Sequence, residues 1–467
     1  MAFGKYGAPQ KYGTSITYGA PVPPWDYHIL LRRPANEKVV QILKDDVTAM
    51  SFSYERYGGC AAAQITLKRD LNSYGLIGPW YLLEIYTTDR NQQSRSVRWT
   101  GFVEPLISKL GEQTVSINAR GLRDWLGNIV VPQQTYEFYS DVSGIVTDIV
   151  DTFVVPGSKI QHTAELGLIQ NVNIPVENLS LNTTVLQALT HLSLIGGNAE
   201  WGVRADREFY FLPRIESAQH YFAESSQPLS NTGIRALVDL ELQVTRARQI
   251  NWLYLQAGDG EQYLVQAGAY ASGAQTEAIE IAPSVMSEAD ALLWGASYLA
   301  RTNGVQIPIE EKFSGLVADD LNLLTPAMDY VQATITVIYP AGYTKDADDT
   351  TPSVAAHYSH QSDGRVMVKT AAGDTYLILQ YDVRTGGHTA RAILAGVTGS
   401  FHDNLPLSSA VISTDKWRNY MLPVQRINYI LTNDDLRAEL DFGEAIPGLG
   451  RLHEAINFKL EELSQTV

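Results

Sequence analysis

The chain has a single cysteine, Cys60, among 467 residues. No intramolecular disulfide can form, so the fold must rest on buried area. Cys60 sits in Gly58-Gly59-Cys60-Ala61-Ala62, where a small buried side chain is expected and a reactive thiol is not. Charged residues are scarce too, at 18%, against about a quarter in an average globular domain. The cationic sign is the scarcer: 35 Lys and Arg stand against 51 Asp and Glu, for a net charge of −16. A protein that grips nucleic acid by its phosphates needs the opposite balance. A channel wall past which DNA slides without sticking is compatible with it, as is plain solubility. No stretch approaches the roughly 18 apolar residues of a membrane helix, so no stable membrane insertion is expected. The opening Met1-Ala2-Phe3-Gly4-Lys5-Tyr6 lacks the apolar core of a secretory signal, which places synthesis and assembly in a cytoplasm.

Reactive constellations are missing as well. The sequence contains no Gly-x4-Gly-Lys-Ser/Thr phosphate loop, no Gly-x-Ser-x-Gly nucleophile elbow and no His-Glu-x-x-His. One cysteine excludes multi-cysteine zinc sites. The one close histidine pair, His357 and His360 with Asp363 nearby, reads as surface loop rather than metal ligands. Asp346, Asp348 and Asp349 resemble half of a calcium loop but lack its glycine and distal glutamate. Glu310-Glu311 and Asp319-Asp320 read as exposed charge, because neighbours on a strand face opposite sides. Trp80, Trp99, Trp125, Trp201, Trp252, Trp294 and Trp417 read as core. No catalytic, cofactor-binding or metal-binding residue is assigned, no cofactor is expected, and the chain reads as a non-enzyme.

What the chain does have is 25 Tyr and 36 Gly within a hydrophobic fraction of 45%, the composition of extended structure with polar, aromatic surfaces. Residues 1–24 repeat Tyr-Gly at Tyr6, Tyr12 and Tyr18 between Pro9 and Pro21-Val22-Pro23-Pro24. No regular helix tolerates that spacing, and an extended arm that orders against a partner is expected. Residues 25–131 read strand after strand, as in Gln64–Lys68, Tyr81–Tyr86 and Thr114–Ala119, and form a β-barrel or sandwich. Residues 132–230 carry two amphipathic helices, one capped by Ser140 or Asp141 and one opening at Asn182-Thr183-Thr184, and then a hairpin through Ala205-Asp206. They make a small α+β module.

Residues 231–339 return to strands and include one strong helix that opens at Ser287 and stops at Asn303-Gly304. Residues 340–420 read as an inserted β-rich domain. Residues 421–467 complete the second β region with a hairpin and a C-terminal helix, whose Leu449, Leu452, Ile456, Leu460 and Leu463 lie on one stripe. The expected fold is mainly β with α+β character and several domains: two β-barrel or sandwich-like regions plus a small α+β module.

This order of elements, with local text such as Arg98-Trp99-Thr100-Gly101-Phe102-Val103-Glu104-Pro105, Thr114–Leu126 and Glu439-Leu440-Asp441-Phe442-Gly443, resembles the tail hub proteins of long-tailed bacteriophages, including the baseplate hubs of contractile phages. The resemblance covers most of residues 25–340 and 420–467. It implies a structural protein of the virion tail: a homotrimer whose two β regions per chain line a ring between tail tube and tip. Its partners would be copies of itself, the tail tube or distal tail protein, and a spike, fibre or other baseplate protein, with DNA passing without specific binding. The stripe residues and Tyr6, Tyr12 and Tyr18 are the expected interface positions. Alternatives are another tail-tip component, such as a distal tail or receptor-binding protein, or a tail-associated cell-wall hydrolase.

Overall fold

A computed structural model describes residues 25–34, 39–42, 46–68, 77–89, 95–105, 114–215, 218–224, 234–244, 250–266, 277–303, 306–328, 330, 334–340, 344–347, 357–361, 364–370, 373–384, 388–394, 407, 409–414, 419–432 and 435–443. The interface positions Tyr6, Tyr12, Tyr18, Leu449, Leu452, Ile456, Leu460 and Leu463 lie outside these residues.

Seven strands open the chain: β1 (Trp25–Arg32), β2 (Val39–Ile42), β3 (Val47–Glu55), β4 (Gly58–Leu67), β5 (Leu82–Asp89), β6 (Arg95–Val103) and β7 (Val115–Gly121). They form one sheet in the order β2-β1-β5-β6-β7-β4-β3. Alternation explains the packing: along β4, Ala61, Ala63, Ile65 and Leu67 point into the core while Ala62 and Gln64 point out.

The chain next builds a helical module. A 3-10 turn (Leu122–Asn128) leads to β8 (Val130–Tyr136), α1 (Val142–Ile149), a π turn (Val150–Val154) and α2 (Val155–Gly157). β9 (Leu179–Thr184), α3 (Val185–Ile195), β10 (Glu200–Val203) and β11 (Phe209–Leu212) follow. Both sequence-expected caps are present. Asp141 Oδ1 accepts from Ser143 N at 2.8 Å, and the Thr184 hydroxyl accepts from Gln187 N.

Strands β12 (Ala218–Glu224) and β13 (Arg235–Val244) begin a second β region. The chain then returns to the helical module with β14 (Trp252–Ala257), β15 (Gln262–Gln266), β16 (Glu277–Ala282) and α4 (Glu288–Asn303). Leu253, Leu255, Val265, Ala291, Trp294 and Leu299 share one core with Ile145, Leu189 and Phe211. Core membership therefore differs from the sequence-based partition, which put this helix with the second β region. Its apolar stripe meets α3 and the β14–β16 sheet instead.

An inserted sheet follows: β17 (Gln306–Ser314), β18 (Leu321–Leu324), β19 (Thr336–Ile338), β20 (Thr344–Ala347), β21 (His357–His360), β22 (Val366–Lys369) and β23 (Tyr376–Arg384). These seven strands pair in the order β17-β23-β19-β20-β21-β22-β18 around a core of their own. The insertion spans 306–384 rather than 340–420, because β24 (His388–Leu394), β25 (Ser409–Ser413), β26 (Asn419–Thr432) and β27 (Asp435–Phe442) return to the second β region.

There β12, β13, β24, β27, β26 and β25 pair in a ring, closed by β25 on β12. This six-stranded barrel is joined to the first sheet by an antiparallel seam between β26 and β3, running from Arg426↔Glu55 to Thr432↔Ala49. Phe52 stacks on Tyr429 across the seam with ring centroids 5.0 Å apart. Residues of both β regions, from Ile29 to Phe442, share a single core.

Candidate functional site: the junction of the modules and its exposed faces

The turn Glu55-Arg56-Tyr57-Gly58-Gly59 between β3 and β4 is where the two β regions and the helical module meet. Glycine is required on both sides of the contact. Gly202 and Val203 of β10 pair in parallel with Gly58 and Gly59. A Cβ on Gly59 would stand 2.2 Å from Val203 O, and one on Gly202 would stand 2.4 Å from the backbone of Gly58 and Gly59.

This close approach buries an ion pair. Arg56 Nε donates to Glu200 Oε1 at 2.8 Å, and both side chains are 0% exposed. The other carboxylate oxygen, Oε2, accepts from Leu407 N at 2.9 Å, and Arg56 N donates to Gln425 O at 2.9 Å. One carboxylate on the helical module thus binds the first sheet and the second β region together.

A second buried arginine completes the junction. The Arg301 guanidinium, from the end of α4, lies 4.2 Å over the Tyr57 ring, donates to Ser193 Oγ at 2.7 Å and donates to Asn198 Oδ1. Asn198 Nδ2 donates to Ser297 O at 2.9 Å, so α3, α4 and the turn are locked by one network. Arg123 holds the turn from its other side, donating to Tyr57 O at 2.6 Å and pairing with Glu55 at 2.6 Å.

Among the described residues, apolar side chains cluster at the surface in these two places. Trp80 is 52% exposed and sits at φ 71°, in the left-handed region where a bulky residue is a steric outlier. Its ring meets Trp125 edge-on at 5.0 Å, and Trp125 tilts against Phe102 at 5.1 Å. This corrects the reading of the tryptophans as core: Trp99, Trp201 and Trp294 are buried, Trp125 and Trp252 are half-buried, Trp80 is on the surface, and Trp417 lies outside the described residues. The second surface is the outer face of the β14–β16 sheet, where Ile279 is 69% and Ile281 63% exposed.

The remaining sequence candidates fall out as follows. Cys60 is buried, and burial pushes its thiol up to about 12. His360 lies on strand β21 beside Tyr330 and Tyr358. Glu311 is not exposed charge: it accepts from Ala327 N at 3.1 Å and from the Tyr381 hydroxyl at 2.9 Å, while Glu310 pairs outward with Gln380. Among the described residues no group of three or more His, Cys, Asp or Glu could hold a metal ion. No described helix is long and apolar enough to cross a membrane.

An open seven-stranded sheet and a six-stranded barrel, joined by one seam and tied to a helical module, form a fold that solved structures share. The tail protein of Neisseria meningitidis MC58 superposes with a TM-score of 0.50 at 9% identity, over 90% of this chain and 96% of that one. The 43 kDa tail protein of prophage MuSo2 from Shewanella oneidensis gives 0.46 at 8% identity, over 89% and 96%. A chain of the Francisella PdpA–VgrG complex gives 0.40 at 9% identity, over 91% of this chain and 53% of its own length. No family model and no curated protein sequence matches. The shared property is the fold, and it agrees with the resemblance to tail hub proteins read from the sequence.

Proposed function

We propose that this chain is a structural hub of a phage tail tip or baseplate, which assembles as a homotrimeric ring and joins the tail tube to the tip. The observation that carries this reading is the β3–β26 seam. It makes the two β regions of one chain neighbours in a continuous sheet, so three copies would present six such regions around an axis. A ring of this kind matches six-fold and three-fold components by rigid-body contact, with no bond chemistry. Its neighbours would be the tail tube or distal tail protein on one side and a spike, fibre or other baseplate protein on the other. The charge of −16 suits a wall along which DNA passes without binding.

The test is mass and projection. The purified protein should form a species of about 155 kDa, three times 51.6 kDa, and averaged electron-microscope images should show a central hole. A monomer at every concentration, together with no ring in the assembled particle, refutes the proposal.

A further inference from the structure

We propose that the outer face of the β14–β16 sheet is the docking site for this chain's own C-terminal segment, residues 449–463. The strand register puts Leu264, Tyr254 and Ile279 in one row of that face and Gln262, Gln256 and Ile281 in the next. Trp252, half-buried, sits in a third row between Gln266 and Glu277. The opposite face is occupied: Val265, Leu253 and Leu255 pack into the core against α4. The outer face thus carries a cluster of five apolar side chains among Gln and Glu, with no second layer among the described residues, the condition that a packed helix ordinarily relieves.

Its dimensions choose between occupants. Three strands about 4.8 Å apart, with rows rising about 3.3 Å per residue, make a face of roughly 200–300 Å². A stable subunit interface needs about 800 Å² per partner, so the face is too small to hold a second globular copy by itself. It is the right size for one helix, about 10 Å wide, and residues 449–463 would span about 22 Å as a helix. Their stripe, Leu449, Leu452, Ile456, Leu460 and Leu463, offers five apolar side chains to the five on the sheet.

The chain also resumes from a suitable place. Gly443 N donates to Pro423 O at 2.9 Å, Pro423 pairs with Ser409, and Leu407, two residues earlier, donates to Glu200 at the module junction. Helix α4, which lines the inner face of the sheet, ends at that same junction with Arg301 over Tyr57. The root of the C-terminal segment therefore lies near the junction at which α4, the helix behind the sheet, ends.

Paired cysteines in the full-length protein test this directly. Cys60 is buried, so an Ile279→Cys, Ile456→Cys protein carries only two reactive thiols. Mild oxidation should join them within one chain, seen as a faster monomer band on a non-reducing gel. The control pair Ile279→Cys, Glu454→Cys, with the second thiol on the polar side of the stripe, should cross-link at least tenfold more slowly. A melting cycle in the full chain guards against misfolded variants: Ile281→Asp and Leu460→Asp should together lower the Tm by less than the sum of their separate losses. Cross-links only between chains, no cross-link, equal rates for the two pairs, or additive Tm losses would each overturn the proposal.

Discussion

Replacing Arg56 by Met removes the guanidinium and keeps much of the side-chain volume. The Glu200 carboxylate then stays fully buried and keeps, among the described residues, the Leu407 N donor at 2.9 Å, having lost the Arg56 contacts at 2.7 and 2.8 Å. Stranding one member of a buried pair costs about 3–5 kcal/mol. The Arg56→Met, Glu200→Leu protein strands neither charge of the pair and leaves the Leu407 N–H without its acceptor, a cost of about 1–3 kcal/mol. The double variant is therefore expected to be more stable than the single one, the opposite of additivity.

Denaturant titration reads the global loss. Hydrogen exchange reads the junction itself, in peptides containing Arg56 N and Leu407 N. At about 1.4 kcal/mol per factor of ten, the single substitution should speed local exchange roughly a hundred- to several-thousand-fold. Because Glu200 touches both β regions, both peptides should respond together. A single variant within about 1 kcal/mol of the parent, or a double variant as unstable as the sum of its singles, would refute the junction as described.

Acid should weaken the fold through two histidines. Burial holds His191 down to about 4, and burial with Arg235 nearby holds His220 down to about 4, while an unfolded histidine titrates near 6.5. Both rings are thus neutral in the folded chain at pH 5, where the unfolded chain takes up protons. Their contribution is complete above pH 6.5 and is lost as pH falls toward 4, by up to about 3 kcal/mol each; a His191→Asn, His220→Gln protein with an unchanged Tm-against-pH curve would contradict this. Cys60 should resist maleimide in the native state and react once denaturant unfolds the chain, so rapid native labelling would place it on the surface. The arm 1–24 should be cut by protease in the free protein and protected in the assembled tail, and equal cleavage in both would remove its role as an interface. In the proposed ring, acidic side chains should outnumber basic ones along the channel, and a wall rich in Lys and Arg would exclude free passage of DNA.

Local signals in the sequence were readable wherever one element determines its own conformation. Asp141 and Thr184 cap their helices as expected, Ser287 Oγ accepts from Asp290 N, and the alternation of Ile427, Tyr429 and Leu431 marks the last hairpin. Periodicity reveals a buried face but not its partner. Helix α4 and strands β14–β16 follow β13 directly in sequence, yet they pack with α3. The start of the insertion was missed for a different reason. β17 contains Pro308 and the charges Glu310, Glu311 and Lys312, which argue against an interior strand. β17 is an edge strand, the place where proline and charge are tolerated and guard against mispairing. The junction was hidden because Arg56 and Glu200 stand 144 residues apart, although Gly58-Gly59 and the Gly of Glu200-Trp201-Gly202 were signs of close backbone approach.

The seam and the junction together say how force would cross this molecule. Sliding β26 along β3 by one residue would turn Ile427 and Tyr429 from the shared core toward solvent, because side chains alternate with a period of two. Each of these side chains stands to lose about 1.5–3 kcal/mol of burial, so the register has no soft path. Rotating the helical module away is resisted at another point, where the Arg56–Glu200 pair and the Gly58–Gly202 backbone contact would open to water together. Two independent constraints, one along the seam and one across the turn, leave the β regions and the helical module moving as a unit. In the proposed hub, that rigidity would keep tube and tip in fixed register, and it would come from backbone pairing and one buried charge pair rather than from any disulfide.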